Sequence, residues 1–138
     1  MKSVDKERLL REAALAKVNS YSPYSKFRVG AAVLLKNGEI ISGANVESCS
    51  YPCGVCAERN VLSSAYGKGY RKDDVVALAI SGDKIEFTYP CGMCCQVICE
   101  LMDENSPVFL INSKNDLKEI KVKKLLPYFF GDSQLGGK

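Results

Sequence analysis

Residues 75–111 read VVALAISGDKIEFTYPCGMCCQVICELMDENSPVFLI, and this stretch decides the fold class. Val75–Ser81 is a short apolar run with the length of a strand buried on both faces. Pro90 then precedes a helix predicted from Cys91 to Met102, and Val108–Ile111 reads as a second buried strand. Strand, helix and strand in alternation is the pattern of a sheet covered by helices.

The same logic extends upstream. Phe27–Leu35 is a continuous β-rich run, Asn37-Gly38 is a strong hairpin signal, and Ile40–Val46 returns as the partner strand. Pro52 and Gly54 open a helix predicted to run to Tyr66, closed by Gly67 and Gly69. Near the start, Val4, Leu9, Leu10, Ala13, Ala14 and Val18 recur at helical spacing. They predict a helix over Asp5–Asn19 with Ser3 as its cap and Asp5 and Glu7 in its first turn. After Val108–Ile111, Asn115-Asp116 marks a turn, Leu117–Val122 an edge strand and Lys123–Leu126 a short helix stopped by Pro127. The expected architecture is a single α/β domain spanning residues 1–138, with a mixed sheet and helices on both faces.

Composition narrows the function classes. At 46% hydrophobic and 25% charged, the 138 residues suit one soluble domain with a real core. No apolar run approaches the roughly 20 residues of a membrane helix, and the charged start of the chain is not patterned as a signal peptide. The net charge of +3 is modest and its lysines and arginines are scattered, which argues against a nucleic-acid polymer as partner. Seven cysteines, an odd number without a secretion signal, argue for reduced thiols in a cytoplasmic setting.

The chain has no histidine. Any zinc bound here must therefore sit on thiolates, and proton transfer near neutral pH falls to a carboxylate whose pKa is raised. Cys56-Ala57-Glu58 and Pro90-Cys91-Gly92-Met93-Cys94 supply such a set. Cys56 and Cys91 fall in the first turns of predicted helices, where free N–H groups and the helix dipole favour thiolate. Three cysteines can hold zinc with one position left for water, and Glu58 is placed to move protons there. Arg59, next along, could hydrogen-bond to the sulfurs and offset their charge. The competing reading is a closed structural site in which Cys53/Cys56 and Cys91/Cys94 supply four ligands. Against it, 34 residues separate the two pairs, longer than a zinc ribbon allows, and a structural site gives Glu58 no role. Cys49, Cys95 and Cys99 read as core or surface residues.

With these motifs, the sequence resembles a cytidine deaminase of the small, homotetrameric type. The two cysteine motifs match the all-cysteine form of the zinc-deaminase signature. The segments from Tyr21 to Ala32, Gly43-Ala44-Asn45-Val46-Glu47, Cys56-Ala57-Glu58-Arg59-Asn60 and Leu125-Leu126-Pro127-Tyr128-Phe129-Phe130 are similar to further parts of that family, in its order. The resemblance implies a three-layer α/β/α fold with about five strands, and one zinc ion per subunit on Cys56, Cys91 and Cys94. It implies hydrolytic deamination of free cytidine and deoxycytidine in pyrimidine salvage. Glu58 would take a proton from the activated water, pass it to ring nitrogen 3 and protonate the departing amine, with attack at ring carbon 4. Asn45 and Glu47 would bind the sugar, chiefly its 3′-hydroxyl, Phe27 would pack beside the nucleoside, and the Ala57 N–H would meet the pyrimidine carbonyl. Tyr51 and Phe130 would enter the pocket from neighbouring subunits. The chain departs from the family at Cys95, where an arginine is usual.

Overall fold

The computed structural model describes residues 1–136 and carries a five-stranded mixed sheet with helices on both faces. In chain order the elements are α1 (Ser3–Ala16), β1 (Val29–Leu35), β2 (Ile40–Ala44), α2 (Ala57–Gly67), β3 (Val75–Gly82), α3 (Gly92–Leu101), β4 (Pro107–Ile111) and β5 (Leu117–Lys121). The sheet order is β2-β1-β3-β4-β5. Only β3 and β4 are parallel, joined through α3 as a crossover; every other neighbouring pair is antiparallel.

Side chains alternate across the pleat and divide the core in two. Ala31 and Val33 of β1, Leu78 and Ile80 of β3 and Val108 and Leu110 of β4 pack with Val61 and Leu62 of α2 and Ile98 of α3. The opposite positions, Ala32, Leu34, Ala77, Ala79 and Phe109, meet Leu9 and Ala13 of α1. Leu9 is fully buried, and burying a leucine contributes about 1.5–3 kcal/mol. The α1 face is lined largely by small residues, which brings that helix close to the sheet. Gly30 shows how close: a Cβ there would lie 2.1 Å from the Ala13 carbonyl oxygen and 2.9 Å from the Lys17 nitrogen.

The Asn37-Gly38 turn forms as expected. Gly38 takes φ +92°, its N–H donates to Leu35 O, and the Leu35 N–H donates to Glu39 O. Asn115 likewise adopts a left-handed turn conformation at φ +65°. Several local expectations shift. Pro52 lies in a separate 3-10 turn over Tyr51–Cys53, so that α2 opens only at Ala57, and β2 ends at Ala44 and not at Val46. Ser3 is the first residue of α1 rather than its cap, and no side chain caps that helix. The helix ends at Ala16 and Lys17–Asn19 tightens into a 3-10 turn. β1 begins at Val29, not Phe27, because Lys26 takes a left-handed φ of +59° and the side chain of Asn45 claims the Phe27 carbonyl. The short helix expected over Lys123–Leu126 is a 3-10 turn over Val122–Lys124.

Gly30→Ala is expected to lower stability by about 1–3 kcal/mol, since the clash falls on α1 backbone that cannot turn aside. Urea unfolding with an unchanged slope and an earlier midpoint would show it; an unchanged midpoint would mean that α1 does not pack as described.

Candidate metal centre and substrate cavity

The start of β1, the end of β2 and the end of β3 lie together at one end of the sheet, with Val29 opposite Gly82 and Gly30 opposite Ala44. α2 is fastened near there by Asn60, whose Nδ2 donates to Ala44 O at 3.1 Å. A Cβ on Gly43 would stand 3.2 Å from that same Nδ2, so the glycine lets the helix lie against β2.

Cys56 and Cys91 sit one position before the first turns that the sequence suggested. Each is the residue preceding its helix, in extended conformation (φ −71°, ψ 154° and φ −68°, ψ 172°), and neither sulfur caps its own helix. Cys94, on the first turn of α3 and fully buried, returns to the same point. The three Sγ atoms lie within 4.8 Å of one another, Cys56 and Cys91 at 3.9 Å. Zinc about 2.3 Å from each sulfur at tetrahedral angles needs sulfurs roughly 3.8 Å apart, so this donor set fits the ion. Among the described residues the cluster contains these three cysteines and no fourth Cys, His, Asp or Glu. Cys53, exposed in the 3-10 turn Tyr51–Cys53, is outside it. Three donors are one fewer than a closed structural site takes.

The thiols are unequal. A hydrogen bond from the Cys94 thiol, together with Arg59, pulls Cys56 down to about 5, against the opposing effect of burial. Cys94 itself is pushed up by that same bond and by burial. The cluster thus favours a thiolate hydrogen-bonded by a neighbouring thiol, and metal binding must expel the protons that remain on the sulfurs. Arg59 Nη2 donates to Cys56 Sγ at 3.8 Å and to Gly54 O at 3.2 Å. Its buried Nε finds no partner, which suits a cation held against a negatively charged sulfur cluster.

Glu58 follows on the first turn of α2 and is 4% exposed. Burial raises its carboxyl to about 7, and the Cys56 thiolate adds to the rise. It lines a cavity of about 260 Å³ together with Phe27, Asn45, Glu47, Ala57, Cys56 and Cys91. Seven of the site residues expected from sequence thus share one cavity. Tyr51 does not line it and is 77% exposed; Phe130, 56% exposed, is held by Gln96 Nε2, which donates to its carbonyl at 2.6 Å.

Asn45 and Glu47 do more within this chain than the sequence suggested. Asn45 Oδ1 accepts from Val29 N–H at 3.0 Å and Ser20 Oγ at 2.5 Å, and its Nδ2 donates to Phe27 O at 2.9 Å. Glu47 Oε1 accepts from the N–H groups of Tyr24 and Ser25, both at 3.1 Å, and Oε2 from the Ser25 hydroxyl. Ser25 Oγ in turn accepts from Phe27 N–H at 3.0 Å. These bonds, the Ser25 hydroxyl first, hold Glu47 below the usual carboxylate range. The pair therefore clamps the loop that presents Phe27. Sequence reading also missed Thr88 and Tyr89 as cavity residues. Their one local signal was adjacency to Pro90-Cys91. Thr88 lies against Gly82, where any Cβ would meet its Oγ1 at 1.9 Å.

Comparison with known proteins bears on this arrangement. Residues 3–110 match the family model described as the cytidine and deoxycytidylate deaminase zinc-binding region. The chain is 46% identical over 127 residues to a cytidine deaminase of Halalkalibacterium halodurans, covering 92% of this chain and 95% of that protein. It is 42% identical over 132 residues to one of Sporosarcina psychrophila, covering 96% of each. The fold superposes on the crystal structure of a cytidine deaminase from Burkholderia pseudomallei with a TM-score of 0.87 and 39% identity, covering 90% of this chain and 98% of that one. Family model and sulfur cluster agree on zinc as the metal.

Cys56→Ser is expected to abolish tight zinc binding and Cys53→Ser to leave one zinc per chain, as read by metal analysis of the purified proteins. Zinc lost from the Cys53 variant and kept by the Cys56 variant would restore the four-cysteine reading.

Proposed function

The chain belongs to the cytidine and deoxycytidylate deaminase zinc-binding family, and from that premise we propose that it hydrolyses cytidine and deoxycytidine to uridine and deoxyuridine with release of ammonia. The observation that carries this reading is the position of Glu58, buried beside three clustered sulfurs in the cavity that Asn45 and Glu47 also line. Cys56, Cys91 and Cys94 hold the zinc. The ion supplies a Lewis acid that makes water a competent nucleophile near neutral pH.

The rest belongs to the chain's own groups. Glu58, poised near neutrality, takes the proton that water sheds as its oxygen adds to ring carbon 4 and passes it to ring nitrogen 3; it then takes the remaining proton of the new C4 hydroxyl and delivers it to the amino group as the C–N bond breaks, the C4 carbonyl forms and ammonia leaves. A carboxyl at the ordinary value of 4.5 would accept protons poorly and return them too readily; at about 7 it does both. The Ala57 N–H, at the start of α2 where helical N–H groups lack partners, meets the pyrimidine carbonyl. Asn45 keeps one amide N–H beyond the one given to Phe27, and Glu47 keeps an acceptor position beyond the three it uses. Those remaining positions serve the 3′-hydroxyl of the sugar, while Phe27 packs beside the nucleoside. Arg59 offsets the charge of the sulfurs.

Residues 1–138 form one catalytic domain in this reading, and it works as a cytoplasmic homotetramer in pyrimidine salvage. Tyr51 and Phe130, both projecting from the subunit surface, complete neighbouring sites. The substrate is the free nucleoside: a net charge of +3 offers little for a polynucleotide, and no described helix is long and apolar enough to cross a membrane.

Glu58→Gln is expected to retain zinc and melting temperature while turnover of cytidine, followed by ultraviolet absorbance, falls about 10³-fold or more. Activity at the wild-type level would refute the proton-transfer role. Specific activity is expected to fall on dilution in step with dissociation seen by light scattering; a fully active monomer would refute site sharing.

A further inference from the structure

Two aromatic side chains line the cavity, Phe27 and Tyr89, and a lysine from a distant part of the chain meets each. Lys118 of edge strand β5 donates from Nζ to the Tyr89 hydroxyl at 2.6 Å. Phe27 has no hydroxyl to accept. Lys84 instead places its Nζ 4.8 Å from the Phe27 ring centroid, inside the roughly 6 Å at which the negative face of a ring attracts a cation.

Lys84 is exposed, yet its backbone is held. It is the second residue after β3, and its carbonyl accepts from Ser113 N–H at 3.0 Å. The next carbonyl, Ile85 O, accepts from Nδ2 of the buried Asn112 at 2.8 Å. The end of β4 thus pins the stretch from which the lysine projects. Its neighbour Asp83 is already engaged by Arg28 at 2.9 and 3.2 Å and by Lys17 at 3.5 Å. Among the described residues Lys84 makes no salt bridge of its own. The ring is where its charge is directed.

The other ties on Phe27 leave that charge something to do. Its N–H donates to Ser25 Oγ and its carbonyl accepts from Asn45 Nδ2, which fixes the main chain and not the ring. A Cβ on Gly82 would stand 3.3 Å from Phe27 Cζ, so the tip of the ring comes close to the bare backbone at the end of β3. The faces of the ring remain. Lys84 is not among the residues that line the cavity, so its ammonium meets the ring from outside while the ring forms part of the wall. A side chain that is ordered beforehand loses less freedom when a ligand packs against it.

We propose that Lys84 is a positioning residue for the deamination: from outside the cavity its ammonium holds the Phe27 ring in place before the nucleoside packs beside it. The inference rests on the nucleoside deaminase reading and adds to it a residue that touches neither the nucleoside nor the sulfur cluster. Because Lys84 acts on a wall and not on Glu58, its effect falls on binding and leaves the proton transfers alone.

The test is kcat and KM for cytidine with wild type, Lys84→Met, Lys84→Arg, Phe27→Leu and the Phe27→Leu/Lys84→Met double variant, each checked for zinc content and melting temperature. Lys84→Met keeps the length of the side chain and removes its charge. It is expected to raise KM about two- to five-fold with kcat unchanged, the range of one exposed cation–ring contact. Lys84→Arg keeps a cation that stacks on rings and should stay near wild type. Phe27→Leu should raise KM by itself, and adding Lys84→Met to it should cost nothing more, because the lysine acts only through the ring. Calorimetric titration with uridine should show the same pattern without turnover. An unchanged KM in Lys84→Met, a loss that falls on kcat, a loss that Lys84→Arg does not restore, or an equal loss in the Phe27→Leu background would overturn the proposal while leaving deamination intact. A zinc-loaded wild type inactive on cytidine would instead overturn the reading on which it rests.

Discussion

The site depends on two helix starts meeting at one end of the sheet. α2 and α3 pack on the same face, and the residue just before each helix is a cysteine whose sulfur is not spent on capping. Any change in how the helices lie would separate Cys56 from Cys91, now 3.9 Å apart. The packing in turn requires the two glycines against which helices press. Gly43 admits α2 on one face and Gly30 admits α1 on the other. The metal centre is thus a consequence of layer spacing as much as of cysteine spacing. The helix ends also contribute electrostatically, since unpartnered N–H groups and the positive end of each dipole favour sulfur as thiolate.

A second constraint holds the organic half of the cavity. The loop from Ser20 to Val29 has little regular structure, yet it must present Phe27 in a fixed place. It is tied through Asn45 at Ser20, Phe27 and Val29, through Glu47 at Tyr24 and Ser25, and through Asp83 at Arg28, whose guanidinium bonds it at 2.9 and 3.2 Å. Burial would raise Asp83, but the bonds from Arg28 outweigh it and hold the carboxyl low. These ties let Lys26 remain at φ +59°, a conformation a free lysine avoids. The groups expected to bind the sugar therefore also build the wall it rests against, so removing one would disturb both.

What the sequence made readable was periodic or motif-bound. The buried strands Val75–Gly82 and Pro107–Ile111 showed as apolar runs, the hairpin as Asn37-Gly38, and the metal donors as two short cysteine motifs. What stayed hidden was non-local. Nothing near Glu47 in sequence announces that its carboxylate grips Ser25, 22 residues earlier, and nothing near Tyr89 announces Lys118. The early end of β1 at Val29 has the same origin, because a distant amide overrides a run of good strand formers. Cys95 was legible only as a departure from the family. In the structure its buried sulfur donates to Pro90 O at 3.4 Å, a packing role beside the metal ligands that carries no charge. Compensation of the sulfurs then rests on Arg59, the cation the structure sets against them.

The two glutamates of the cavity show how one fold divides acid–base labour. Glu47 has three donors on its carboxylate and is held ionised; it can orient and accept, and it is a poor proton carrier. Glu58 is buried and has its pKa lifted to about 7 by desolvation and a neighbouring thiolate; it can carry a proton in either direction. The separation arises from burial, neighbouring charge and donor supply, since the side chains are chemically identical. It also gives a chain with no histidine a carboxyl that can exchange protons near neutral pH. A carboxyl two residues after a cysteine of the sulfur cluster, on the first turn of a helix that presses it into the core, is raised to the range where imidazole titrates elsewhere.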